Sequence, residues 1–210
     1  ARGCLWPRFR QVEAMIARLT AFALALIGLV ALRAQFDAHV VGTVAERLWV
    51  MAGFFTLWTN TVLTVHLLAI TKGWRVSASR LAGLLLSIVM VGAVYHLVLA
   101  GLWNPQGVAW WTQQGLHTAM PLGFLAWWLA FAPKDVAVKD IPVWLLWPLS
   151  YCGFALIRGA ATGFWPYPFL NADAIGWPRV ALNCGVLLVI FAALGLAIVF
   201  IARKLQARPS

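Results

Sequence analysis

The chain alternates long apolar runs with short polar breaks. Residues 48–71 carry no Asp, Glu, Lys or Arg between Arg47 and Lys72, and residues 180–202 carry none between Arg179 and Arg203. Each run matches the roughly 20 residues that a membrane-crossing helix needs. Residues 141–157, between Asp140 and Arg158, form a shorter run that continues past Arg158. Residues 81–133 have no formal charge, but Asn104-Pro105-Gln106-Gly107 puts turn residues near the middle, so this run reads as two helices. Residues 19–32 are short for a span and extend back through 14–17, with Arg18 snorkelling to the headgroups. The pattern predicts six helical spans, at about 14–32, 48–70, 81–103, 111–132, 142–163 and 178–202. The alternating short strands of a membrane barrel are absent from the pattern.

Composition agrees. The 210 residues are 63% hydrophobic and 10% charged, against about 45–50% and 25% in soluble domains. The apolar surplus has to face lipid, so the expected fold class is all-α, a polytopic membrane protein forming a single domain. No room is left for a separate soluble domain, which excludes nucleic acid as the partner behind the +10 charge. With a cytoplasmic N-terminus, one side collects Arg2, Arg8, Arg10, Arg18, Lys72, Arg75, Arg80, Lys134, Lys139, Arg203, Lys204 and Arg208. The other holds Arg33, Arg47, Arg158 and Arg179. That asymmetry predicts both termini inside, consistent with a bacterial inner membrane and with attraction to anionic lipid headgroups. Ala34-Gln35-Phe36 lacks a small-x-small ending, so the first span does not read as a cleaved signal. Cys4, Cys152 and Cys184 share no CxxC spacing and read as small apolar packing residues, with neither a disulfide nor a metal role expected.

Tryptophan prefers the membrane interface and so marks depth. Trp49, Trp103, Trp110, Trp111, Trp165 and Trp177 fall near the predicted outer helix ends. Thr56, His96, His117, Arg158 and Asn183 lie six or seven residues inward of them, roughly 10 Å below the outer belt. Polar groups at one depth on five helices point either to one polar cavity or to interhelical hydrogen bonds that hold the bundle.

Thr56, Thr59 and Asn60 sit at i, i+3 and i+4, forming a polar stripe on the second helix. On the fourth, Pro121 deprives the His117 carbonyl of its helical donor, which predicts a kink there. Arg158 cannot shed its charge; Asp173 is its expected counter-ion, ahead of Asp37 and Glu46, and an anionic headgroup or carboxylate is an alternative partner. His66, near the cytoplasmic end, and His39, in the first outer loop, have no partner that the sequence identifies.

Phe54-Phe55-Thr56, His117-Thr118 with Pro121, and Tyr167-Pro168-Phe169-Leu170 occur in this order over nearly the whole chain. In this the sequence resembles the androgen-induced-protein-like membrane proteins, a family that includes the androgen-dependent regulator of tissue factor pathway inhibitor and compact six-span bacterial relatives. Characterised animal members are threonine hydrolases of fatty acid esters of hydroxy fatty acids. The resemblance implies Thr56 as nucleophile and His117 as its partner, with an acyl-ester or fatty-acid ligand. The chain departs from the animal pattern at Thr59 and Asn171, where that pattern has acidic residues; Asp173 follows two positions later.

A threonine hydroxyl needs an adjacent base to attack a carbonyl, which the imidazole of His117 would supply. Asn60, Tyr95, His96 or Asp173 are candidates to orient that ring. Asn60, Asn183 or Arg158 are candidate oxyanion donors, and Tyr167 and Thr59 complete the candidate set. This chemistry requires no cofactor. Two other readings stay open: a lipid-binding or transport protein without chemistry, and a b-type haem protein clamped by His96 and His117.

Overall fold

The computed structural model describes residues 6–38 and 42–207, with side chains from residue 11 onward. Cys4, His39, Arg2 and Arg208, and the side chains of Arg8 and Arg10, lie outside the described residues. The described chain is all helix and loop: α1 (Trp6–Ala38), α2 (Val44–Met51), α3 (Phe55–Thr71), α4 (Ala78–Val94), α5 (Val108–Gln114), α6 (Met120–Phe131), α7 (Ile141–Thr162), α8 (Ala172–Ile175) and α9 (Trp177–Gln206). One wide π turn, Tyr95–Leu99, extends α4, and another, Gly115–Ala119, joins α5 to α6.

Four of these segments are long and apolar enough to cross a membrane: Gln11–Ala38, Ala78–Leu102, Val138–Thr162 and Trp177–Gln206. A fifth is added if the bent pair α2 and α3 is one span. This is a polytopic helical membrane protein. The segment 108–131, interrupted by Gln113, Gln114, His117 and Thr118, is not among them. Large apolar side chains such as Val30, Leu97, Ile157 and Val189 cover the outer surface, as lipid contact requires. Five of the six tryptophans used as depth markers, Trp49, Trp103, Trp110, Trp111 and Trp177, are exposed.

The single helix expected over 48–70 is instead two, meeting at 101°. Thr43 and Glu46 form a reciprocal capping box that starts α2. The chain then turns at Gly53, where a Cβ would press on the Phe164 ring and Arg158 Nη1. Phe54 is extended and α3 begins at Phe55. The break places Thr56 in the first turn of α3, where it and Leu57 are buried.

The core lies where α3, α4 and α6 meet, filled by Leu63, Leu67, Leu85, Ile88, Phe124 and Trp128, with Ala21 and Ala25 of α1 against it. Small residues let backbones approach, as in other membrane bundles. A Cβ on Gly28 would collide with Thr64 Oγ1, and one on Gly92 would meet the His117 carbonyl oxygen at 3.0 Å and Pro121 at 3.1 Å. The irregularity expected at Pro121 takes the form of the π turn, in which the Met120 N–H donates to the Gly115 carbonyl. Such turns concentrate at functional sites; here Tyr95 and His117 each sit in one.

Candidate active site

Membrane threonines commonly turn the hydroxyl back to the carbonyl three or four residues earlier, as Thr71, Thr112 and Thr162 do here. Thr56 does neither. The Ala52 carbonyl precedes the helix and accepts from Trp58 Nε1 at 2.8 Å, while the Gly53 carbonyl accepts from the Tyr151 hydroxyl at 2.7 Å. The Thr56 hydroxyl is left to cross to the neighbouring helix, where its Oγ1 lies 3.2 Å from His117 Nε2. Both residues are 8% exposed.

The imidazole is oriented from two directions. Nδ1 lies 3.2 Å from the Gln113 carbonyl, so Nδ1 carries the proton and donates it there. Nε2 is thereby left as the acceptor facing the Thr56 hydroxyl. The ring of Tyr95 stacks on that of His117, with centroids 4.0 Å apart and planes 16° from parallel. A backbone carbonyl and an aromatic face thus do the orienting for which Asn60, His96 and Asp173 were candidates.

On the other side of Thr56 stands Tyr167. Its hydroxyl accepts from the Phe55 N–H at 3.1 Å, and it lines the same cavity as Thr56 and Tyr151. Its own proton is left for a group bound in that cavity.

Beside these residues lies a cavity of about 240 Å³ whose wall is nearly all apolar, with Met90, Val94, Leu187 and Phe191 among its lining residues and Thr56, Tyr151 and Tyr167 supplying its hydroxyls. Leu149 and Leu188 line it and are also exposed, so it reaches the lipid-facing surface. The volume falls below that of drug-sized ligand sites, which run upward from about 300 Å³. A polar cavity shared by five helices is therefore not what forms. The chamber is greasy, with polar groups concentrated at one end.

The other members of the expected polar layer are used elsewhere. His96 is exposed, and its Nε2 lies 2.9 Å from Thr118 Oγ1, whose proton goes to Gln114 Oε1. With His117 Nε2 committed to Thr56, the two imidazoles are not set to clamp a haem. Asn60 is fully buried and donates Nδ2 to the carbonyls of Thr56 and Leu116. It bridges α3 to the second π turn and has no N–H left for an oxyanion. Thr59 Oγ1 accepts from Trp147 Nε1, and Asn183 donates to the Phe169 carbonyl. His66 Nδ1 bonds the Val62 carbonyl.

Arg158 does not meet Asp173, whose carboxylate accepts from Trp165 Nε1 at 2.7 Å. Its guanidinium lies between the rings of Trp49 and Phe164, 4.3 Å from each centroid. Nε and Nη1 are buried without a hydrogen-bond partner among the described residues. Two aromatic faces offer the cation an electrostatic partner where no carboxylate reaches. Arg158 is not part of the cavity wall.

Sequence reasoning missed Gln113, Tyr151 and the meeting of two cysteines. Gln113 was findable from the i−4 position of its carbonyl below His117. Tyr151 lies seven residues before Arg158, on the same face of α7. Cys152 and Cys184, read as separate packing residues, have their sulfurs 3.6 Å apart.

No protein-family model, no curated protein and no solved structure matches this chain.

Proposed function

We propose that this protein is an intramembrane lipid hydrolase that cleaves acyl esters by a threonine nucleophile. The observation that carries the reading is the contact of Thr56 Oγ1 with the proton-free Nε2 of His117 at the end of an apolar cavity. An acyl chain in that cavity would bring its ester carbonyl to the hydroxyl end, with the alcohol part directed away.

In this reading His117 Nε2 takes the Thr56 proton as Oγ1 bonds to the carbonyl carbon. It then gives that proton to the departing alkoxide, leaving an acyl-threonine ester. Water attacks that ester, again losing its proton to Nε2, and the proton returns to Thr56 as the fatty acid leaves. General-base assistance of this kind is worth about 10²–10⁴-fold. The developing imidazolium would be steadied by the Gln113 carbonyl and the Tyr95 face. The oxyanion would be met by the Tyr167 hydroxyl and by the N-terminal end of α3, where the helix dipole favours negative charge.

The proposal extends to the surroundings. Six spans with both termini in the cytoplasm, in a bacterial inner membrane, would put the pair in the outer leaflet; the Lys and Arg distribution supports this. The resemblance to the androgen-induced-protein-like family supports the choice of Thr56 and His117 and of a fatty acyl ester as substrate.

The test is hydrolysis of a medium-chain p-nitrophenyl ester by the detergent-purified protein. Wild type should release p-nitrophenol steadily. Thr56→Ala and His117→Ala, eluting as monodisperse folded protein, should fall to the uncatalysed rate. Equal rates in all three would overturn the proposal.

A further inference from the structure

The described residues include two cysteines, separated by 32 positions and carried by different membrane helices, Cys152 on α7 and Cys184 on α9. Their sulfurs are nonetheless in contact at 3.6 Å. Both are half-buried, and both line the apolar cavity. Moving from that contact to a bond of about 2.05 Å brings the two sulfurs roughly 1.5 Å closer. Gly185, next to Cys184, has open space where its Cβ would stand, so the backbone there is not wedged by packing.

From this geometry we propose that Cys152 and Cys184 form a dithiol site that closes to a disulfide, tying α7 to α9 along the wall of the cavity. The inference rests on the two sulfurs and the cavity, and stands apart from the hydrolase reading. The oxidant is a disulfide, R–S–S–R, apolar enough to enter the cavity. One thiol loses its proton and attacks R–S–S–R, whose S–S bond breaks. One thiolate RS⁻ leaves and a mixed disulfide remains. The second cysteine, deprotonated in turn, attacks the protein-side sulfur and expels the second RS⁻. Two protein thiols are oxidised and one disulfide is reduced to two thiols. The bond fixes the spacing of the helices that carry Leu149, Leu187 and Leu188, and so the width of the passage to the lipid-facing surface. Reduction by a thiol reopens it.

The experiment uses the full-length protein in detergent micelles with Cys4→Ser, so that only this pair can react. After treatment with 4,4′-dithiodipyridine and removal of excess reagent, the protein is denatured, alkylated and digested. The expected result is a linked peptide pair joining Cys152 to Cys184, loss of both alkylatable thiols, monomer mobility on a non-reducing gel, and recovery of both thiols with dithiothreitol. Adding Cys152→Ser should leave Cys184 either alkylatable or held as its mixed disulfide with thiopyridine, with no link. The proposal is overturned if both thiols of the Cys4→Ser protein stay alkylatable, if each ends as its own mixed disulfide, or if the link joins two chains.

Discussion

The ring of Tyr95 lies flat against the ring of His117, 4.0 Å between centroids, while the neighbouring His96 points outward to Thr118. The stack fills the face of the imidazole and leaves its edge, Nδ1 to Nε2, to run from the Gln113 carbonyl to Thr56. An aromatic stack contributes about 0.5–1.5 kcal/mol beyond the area it buries. Tyr95→Leu keeps the site apolar but lets the imidazole tilt. Ester hydrolysis should slow by up to about tenfold, with the elution profile unchanged. An unaltered rate would mean that the Gln113 hydrogen bond alone orients the ring.

Tyr167 is held by the Phe55 N–H and lines the cavity with Thr56, its own proton left for a bound group. If it meets the oxyanion, Tyr167→Phe should lower kcat by about 10²–10³-fold, as the loss of one such donor does elsewhere, with KM little changed. The same change leaves the Phe55 N–H without its partner, at a cost of about 1–3 kcal/mol in stability, so a thermal melt is measured beside the kinetics. A lower melting temperature with wild-type kcat would make Tyr167 a structural residue only.

A Cβ at Gly185, a residue of the cavity wall, would meet nothing within 4 Å. Gly185→Phe should therefore fill the chamber and spare the chemistry. Turnover of a decanoyl ester should be lost while that of an acetyl ester is kept. Loss of both, or of neither, would place the acyl chain elsewhere.

What the sequence made readable, and what it hid, follows from the geometry of helices. Charge-free runs locate spans because every buried backbone group must be bonded within the segment. Counting inward from the tryptophans brought Thr56 and His117 to one level, and the structure places them in contact. Depth, however, says nothing of direction around the helix. One residue turns the side chain by about 100°, which is why Tyr95 is buried against His117 and His96, next to it, is exposed. The same gap explains Asn183 and Arg158, which share the level but face other partners. Arg158 was matched to Asp173 on charge, yet the aromatic rings of Trp49 and Phe164 were nearer.

The break between α2 and α3 was hidden for a different reason. Gly53 and Phe54 sit inside an apolar run, and nothing in hydropathy marks a right-angle turn. Its cause is tertiary: Phe164 and Arg158 occupy the space where a Cβ at position 53 would stand. In this turn the Ala52 and Gly53 carbonyls accept from Trp58 Nε1 and the Tyr151 hydroxyl, not from Thr56. The freedom of Thr56 to meet His117 is thus a consequence of a feature the sequence pattern did not show.

The most direct measurement is covalent labelling of the purified protein with an alkyl fluorophosphonate, followed by peptide mass spectrometry. An activated hydroxyl attacks the phosphorus and displaces fluoride, so the adduct marks the nucleophile itself. The expected result is a single phosphonylated residue, Thr56, with labelling abolished in Thr56→Ala and strongly slowed in His117→Ala. A wild-type protein that stays unlabelled at Thr56, or a Thr56→Ala protein that labels as fast as wild type, would contradict the assignment of this hydroxyl.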